Sequence, residues 1–237
     1  FYGIIGGIGL GIGYITPVST LVKYFPNRPG FATGLAIMGF GFASLIAGPL
    51  MQYLVAQVGL VDTFIILGVI YLVIMSASSL YLKAPQPKHP TRTTKDKSTM
   101  YVHTHGMLAN DAMKTWQFGT LWWVFFINIT CGIGLLSLAS PMAQEAIGMT
   151  PAAAASLVGI IGIFNGGGRI AWSTISDYLG RAQTYILFFI IQIIAFYLLA
   201  ETNSVLTFQI LILLIITCYG GGFSCMPAYL ADLYGIR

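Results

Sequence analysis

The sequence predicts an all-α membrane protein with seven transmembrane helices. Three observations carry the prediction. The 237 residues are 57% hydrophobic and only 8% charged, whereas soluble domains carry roughly 25% charged residues. The apolar residues gather in seven long runs. Ten of the eleven lysines and arginines fall on alternate connections between those runs, the asymmetry that marks cytoplasmic loops. Seven acids and eleven bases cannot cover a water-exposed surface for a chain of this length, which excludes an ordinary soluble domain. Nor do the bases form a polar face of the kind that binds nucleic acid.

The first run covers residues 2–22. Its glycines stand four apart, as Gly3, Gly7 and Gly11 and as Gly9 and Gly13, a spacing that lets helix backbones approach closely in lipid. No three of them fit the dinucleotide pattern G-x-G-x-x-G, and no strand precedes them. Pro17 removes a backbone hydrogen bond and can bend the run. Tyr14, before it, has two readings: a packing or interfacial aromatic, or part of a cavity wall. The second and third runs cover 31–57 and 60–82. A polar linker follows over 83–118, and four further runs cover 119–144, 152–176, 183–200 and 204–231. Each run is long enough to cross a core of ~30 Å as a helix. None alternates with period two, which excludes a barrel.

The loop charges set the orientation. Lys23 and Arg28 separate the first two runs. The linker holds Lys83, Lys88, Arg92, Lys95, Lys97 and Lys114, Arg181 lies between the fifth and sixth runs, and Arg237 follows the seventh. The intervening loops hold only Asp62, Glu145 and Glu201. The linker is therefore expected in the cytoplasm and Phe1 on the outer side. Because the chain starts within one apolar run and stops just past another, it reads as an internal piece of a larger protein. A weak parallel repeat, offset by 210 residues, lays Gly11 on Gly221, Pro17 on Pro227 and Tyr24 on Tyr234.

Little chemistry of the enzymatic kind is present. Cys131, Cys218 and Cys225 sit in apolar runs, and His89, His103 and His105 lie apart in the linker, so we expect no metal site and no cofactor. No carboxylate falls deep in a run, which leaves an intramembrane protease or a carboxylate proton relay without its acids. Arg169 stands out. It follows Gly166-Gly167-Gly168 and lies eight residues before Asp177, or ~12 Å inward on a helix. A charge near mid-bilayer costs from ~2.5 to over 10 kcal/mol unless it is paired or hydrated. Its partner is either an acid elsewhere or an anionic ligand. Asp177 and Arg181, around Gly180, form either an ordinary helix-end pair or a latch between helices. Asn128, Asn165, Gln192 and Tyr219 are further polar groups in the runs, each able to bond between helices or to meet a ligand.

Several of these residues resemble a known family. Asp177-x-x-Gly180-Arg181 is similar to the cytoplasmic loop signature of the major facilitator superfamily, in its second-half copy. Gly9-x-Gly11-x-Gly13-Tyr14 and the stretch Lys23-Tyr24-Phe25-Pro26-x-Arg28-x-Gly30-x-Ala32-x-Gly34 resemble the fourth helix and following loop of its oxalate:formate antiporter-like and monocarboxylate transporter-like branch. Gly168-Arg169 resembles the Gly-Arg of that branch's eighth helix. The resemblance covers helices four to ten of twelve. It implies a two-bundle helical transporter: 1–82 as the last three spans of the N-terminal bundle, 83–118 as the cytoplasmic central linker, and 119–237 as four spans of the C-terminal bundle.

It further implies a secondary transporter of small organic anions (mono- or dicarboxylates) working by alternating access from a central cavity in the plasma membrane. Arg169, Tyr14 and Asn165 are then expected at the substrate, and Asp177, Gly180 and Arg181 at the gate. The partners are an organic anion, the lipid bilayer and a coupling ion or proton. A drug or cation exporter of the same superfamily is an alternative: Gly48-Pro49 resembles part of that group's fifth-helix motif, but a following Gly-Gly is missing and an exporter of cations wants a buried acid. A seven-helix receptor fits by count, yet the sequence has neither Asp-Arg-Tyr nor Asn-Pro-x-x-Tyr, and the seventh run has no Lys.

Overall fold

Proline and glycine set where each helix starts and stops. In a computed structural model, which describes residues 2–83 and 107–235 and, for Tyr2, Gly3 and Ser44, the backbone alone, every described element is helical. A π-helical turn, Tyr2–Gly6, leads into α1 (Gly7–Tyr24); α2 is Pro29–Tyr81, α3 Ala109–Ala112, α4 Trp116–Glu145, α5 Pro151–Leu179, α6 Arg181–Glu201 and α7 Val205–Tyr234. Pro29 and Pro151 open α2 and α5, where the missing N–H is not needed and the fixed φ suits a helix. Thr115 and Thr150 cap α4 and α5 by accepting from the amides of Phe118 and Ala153. Gly180 alone separates α5 from α6, at φ 97°, a region that side chains avoid. Lys88, Arg92, Lys95, Lys97, the three histidines, Phe1 and Arg237 lie outside the described residues.

The second and third expected spans form the 53-residue α2. A straight helix of that length would be ~80 Å long, more than twice a bilayer core. Gly59 breaks it, with φ 82° and ψ 174°. The chain folds back there and brings Lys83 to the end of α1, where the Tyr24 hydroxyl donates to the Lys83 carbonyl at 2.9 Å. Both ends of α2 thus lie at the end of the molecule where α1 finishes, which we call the basic end. The polar linker is described from Met107 onward. Within it, α3 leads to the Thr115 cap, and the stretch docks on α7 through Met107 N to Tyr234 O and Thr115 Oγ1 to Tyr234 Oη.

The last four helices pack around α5 and α7. One core cluster gathers Leu135, Ala139, Leu157, Phe208, Ile212 and Ile216 toward the acidic-loop end. A second gathers Leu121, Tyr185, Phe188, Cys225 and Met226 toward the basic end. Outward-facing apolar side chains stay uncovered: Ile46, Val61 and Ile193 are 70–72% exposed. That surface is tolerable only away from water, against lipid or further helices.

Glycine decides which helices touch. The first-run stripe was expected to pack closely, but Gly7, Gly9 and Gly11 have open space around them, and Gly13 meets only Met75. No other described helix lies against that face of α1. The close approach is on α2 instead. A Cβ at Gly30 would strike Ser173 and Asp177, one at Gly34 would strike Ser173 and Arg169, and one at Gly41 would strike the backbone of Gly166. The spacings 30, 34, 41 on α2 and 166, 169, 173, 177 on α5 repeat every turn or two turns. The two helices therefore meet backbone to backbone from mid-span to the basic end, while Gly48 lies in open space. Gly41→Ala should cost about 1–3 kcal/mol of stability through overpacking, whereas Gly48→Ala should cost nothing and can add up to about 1 kcal/mol. Thermal unfolding of the two purified variants checks this contrast.

Candidate functional site

Helix periodicity brings four side chains to one level. Arg169 lies ten residues from the last residue of α5, and Tyr14 ten from the last of α1. Phe40 lies eleven from the first residue of α2, and Phe223 eleven from the last of α7. At 1.5 Å per residue each is ~15–17 Å from the basic end, halfway across a bilayer core. Arg169 is 4% exposed. Its Nε donates to Asn165 Oδ1 at 3.1 Å, one turn earlier on α5, and its Nη1 donates to the carbonyl of Ile37 on α2 at 3.3 Å. The guanidinium carbon stands 4.9 Å from the centre of the Phe223 ring and 5.7 Å from that of Phe40. Tyr14 meets both rings edge-on, at 5.5 and 5.7 Å.

The charge of Arg169 is met by neutral groups. The ion pairs among the described residues are Lys114–Asp111, Arg181–Asp177 and Arg181–Asp232, and none includes Arg169. Nη2 has no hydrogen-bond partner among the described residues. A guanidinium held this way keeps donors free for a planar, bidentate acceptor such as a carboxylate. A neutral amide, a carbonyl and two ring faces hold the arginine in place without cancelling its charge.

A second cluster closes the basic end. Asp177 accepts from the amides of Gly30 at 2.8 Å and Phe31 at 2.9 Å. These are orphan donors of the first turn of α2, where a negative charge also meets the positive end of the helix dipole. Arg181 pairs with Asp177 at 2.5 Å and with Asp232 of α7 at 2.9 Å, and also donates to Ser176 Oγ. The side chains of Arg181 and Asp177 are 4% and 6% exposed, so this is more than a solvated helix-end pair. Gly180 gives the turn that lets Arg181 reach back to Asp177.

Of the expected site residues, Arg169, Asn165 and Tyr14 come together, and so do Asp177, Gly180 and Arg181. Asn128 and Gln192 do not join them. Their side-chain amides lie buried in the four-helix bundle without hydrogen-bond partners among the described residues, and Gly222 must be glycine to clear Asn128. Tyr219 lies along Gly132 of α4. Phe40, Phe223 and the Ile37 carbonyl escaped the sequence reading. Of the glycines beside the two rings, Gly41 lets the backbone of Gly166 close on α2, whereas Gly39 has open space around it and Gly222 faces the Asn128 side chain. A backbone carbonyl leaves no mark in a sequence.

Set against known proteins, residues 1–236 match the family model of the Major Facilitator Superfamily. The chain belongs to the Major Facilitator Superfamily. It is 28% identical to the MFS-type transporter YhjX of Escherichia coli over 99% of the chain, and 25% identical to the oxalate:formate antiporter of Oxalobacter formigenes over 98%. It spans about half the length of these curated relatives, 57% and 54% respectively. It is also 29% identical to human monocarboxylate transporter 14, over 38% of the chain and 18% of that protein. As a superfamily member it is a multi-pass integral membrane protein of a transporter, not an enzyme, family. In this superfamily chain the Asp177 cluster joins α2 to three later helices. Asp177→Asn keeps the shape but removes the charge facing Arg181 and one acceptor for the α2 amides. It should destabilise the protein by about 1–3 kcal/mol, read as a lower unfolding temperature, with Asp232→Asn costing less because that residue is more exposed.

Proposed function

We propose that this chain is part of a secondary active transporter that moves a small organic anion, a mono- or dicarboxylate of the oxalate or formate type, across the plasma membrane by alternating access. The observation that carries the reading is Arg169. It is a buried guanidinium at mid-depth whose described partners are all neutral. A buried charge without a counter-charge is expensive, and an anion entering beside it supplies that counter-charge. The names of the relatives point to the same class of cargo. A cationic cargo would be repelled by the same guanidinium.

Arg169, Asn165 and Tyr14 form the substrate group in this reading. Arg169 meets the carboxylate, Asn165 holds Nε, and Tyr14 stands behind the two phenyl rings. Residues 1–82 and 119–237 then belong to the two bundles, joined by the linker at 83–118, and a coupling ion or proton accompanies the anion. Asp177, Gly180 and Arg181 act as the gate. The capping of α2 by Asp177 holds the basic end closed and must be given up when that end opens. A change at the gate can shift the two states only by its differential stabilisation of them.

The test is equilibrium binding of acetate, formate and oxalate to the purified full-length protein. Arg169→Lys keeps the charge but cannot reproduce two parallel hydrogen bonds, and should weaken binding by about tenfold or more, while Arg169→Gln should weaken it further. Both variants should remain folded. If Arg169 instead serves a structural ion pair, Arg169→Gln lowers the folded yield and replacing the partner acid restores it. Wild-type carboxylate affinity in a folded Arg169→Gln protein overturns the proposal.

A further inference from the structure

The hydroxyls of the spanning helices mostly serve their own helix. Thr16, Ser19, Thr20, Thr130, Ser137, Ser156 and Thr217 each donate to a carbonyl three or four residues earlier, the usual way such a group is satisfied in an apolar setting. Ser224 of α7 has that option too, with the Gly221 carbonyl at 3.0 Å. It also lies 2.8 Å from the carbonyl of Arg169 on α5. Among the described serine and threonine side chains of the spanning helices, it alone reaches a carbonyl on another helix.

The neighbourhood fixes what that contact does. Ser224 is fully buried. One turn earlier, a Cβ at Gly220 would strike the carbonyl and the side-chain oxygen of Asn165, and one at Gly221 would strike Trp172. The backbone of α7 therefore lies directly against the Asn165–Arg169 turn. Phe223, the residue before Ser224, carries the ring that stands 4.9 Å from the guanidinium. Consecutive residues of α7 thus hold the backbone of Arg169 and cover its side chain. Ser173 also donates to the Arg169 carbonyl, but from α5 itself, so it cannot fix the position of α7.

We infer that Ser224 is a positioning residue for Arg169: its hydroxyl locks the register of α7 on α5, and so sets the place of the Phe223 ring and the direction in which the free guanidinium donors point. The inference rests on the reading of Arg169 as the anion-binding group, and it extends that reading to a residue that does not touch the substrate. Because the single hydroxyl proton has a second acceptor in Gly221, the lock can release without leaving a buried donor unpaired.

The test uses the purified full-length protein and two readouts. The first is the rate at which phenylglyoxal modifies Arg169, followed peptide by peptide by mass spectrometry with the equally buried Arg181 as internal control. The second is equilibrium binding of acetate and oxalate. Loss of one interhelical hydrogen bond corresponds to about a threefold to tenfold change. Ser224→Ala should therefore speed labelling of Arg169 and weaken carboxylate binding by that factor, with Arg181 labelling unchanged. Ser224→Cys, close in size but a weak donor, should fall between. Ser173→Ala, which takes a hydroxyl from the same carbonyl without freeing α7, should stay within about twofold of wild type on both readouts. Arg169 labelling that is unchanged in Ser224→Ala overturns the inference. So does a parallel rise at Arg181, which would mean general loosening, or an equal effect of Ser173→Ala. Wild-type protein that binds neither acetate nor oxalate contradicts the transport reading instead, while the labelling comparison still decides the role of Ser224.

Discussion

The constraint on which the rest of this structure depends is the cost of holding a guanidinium at mid-membrane. Arg169 has few ways to be tolerated there. A carboxylate of the protein would cancel the charge and make the arginine structural. Here the described partners are an amide oxygen, a peptide carbonyl and two phenyl faces. Each lowers the cost a little, none cancels the charge, and together they keep the side chain in one place. Much of the surrounding sequence follows from building that arrangement. Gly220 clears the Asn165–Arg169 turn, Gly34 clears the Arg169 carbonyl and Ser173, and Gly41 brings α2 onto Gly166, so that the Ile37 carbonyl is in reach.

The same helix pair links the mid-membrane group to the basic end. From Arg169 to Asp177, two turns of α5 lie against α2. At the far end of this contact, Asp177 takes the first amides of α2 while Arg181 ties it to Asp232 on α7. A displacement of α2 from α5 would therefore disturb the Ile37–Arg169 bond and the Asp177 cap together. That is a physical route by which occupancy of a central site and closure of one end can be coupled, through rigid helices packed on glycine rather than through flexible loops. Packed interfaces of this kind have discrete arrangements rather than continuous ones.

How much of this was legible in the sequence depends on the kind of interaction. Composition, run length and loop charge are enough for an all-helical membrane chain, and the ends of α4 to α7 fall within three residues of the expected runs. The Asp177, Gly180 and Arg181 group is legible because its members are close in the chain. Arg169 is legible because a charge in an apolar run is conspicuous. The partners of Arg169 are not, because Ile37, Phe40 and Phe223 are ordinary apolar residues whose meaning comes from helices far apart in the chain. The glycines show the other limit. Among the described residues, the densest stripe, on α1, faces open space, whereas the sparser set on α2 makes the closest contacts. Spacing shows that a face can approach another helix; it does not show which helix arrives.

The central claim is that the free donors of Arg169 receive a carboxylate. A structure of the full-length protein with bound oxalate decides it. The expected result is a carboxylate in hydrogen-bonding contact with the Arg169 guanidinium, between the Phe40 and Phe223 rings, with Asn165 still holding Nε. An aspartate or glutamate of the protein itself on those donors, with oxalate elsewhere, would contradict it.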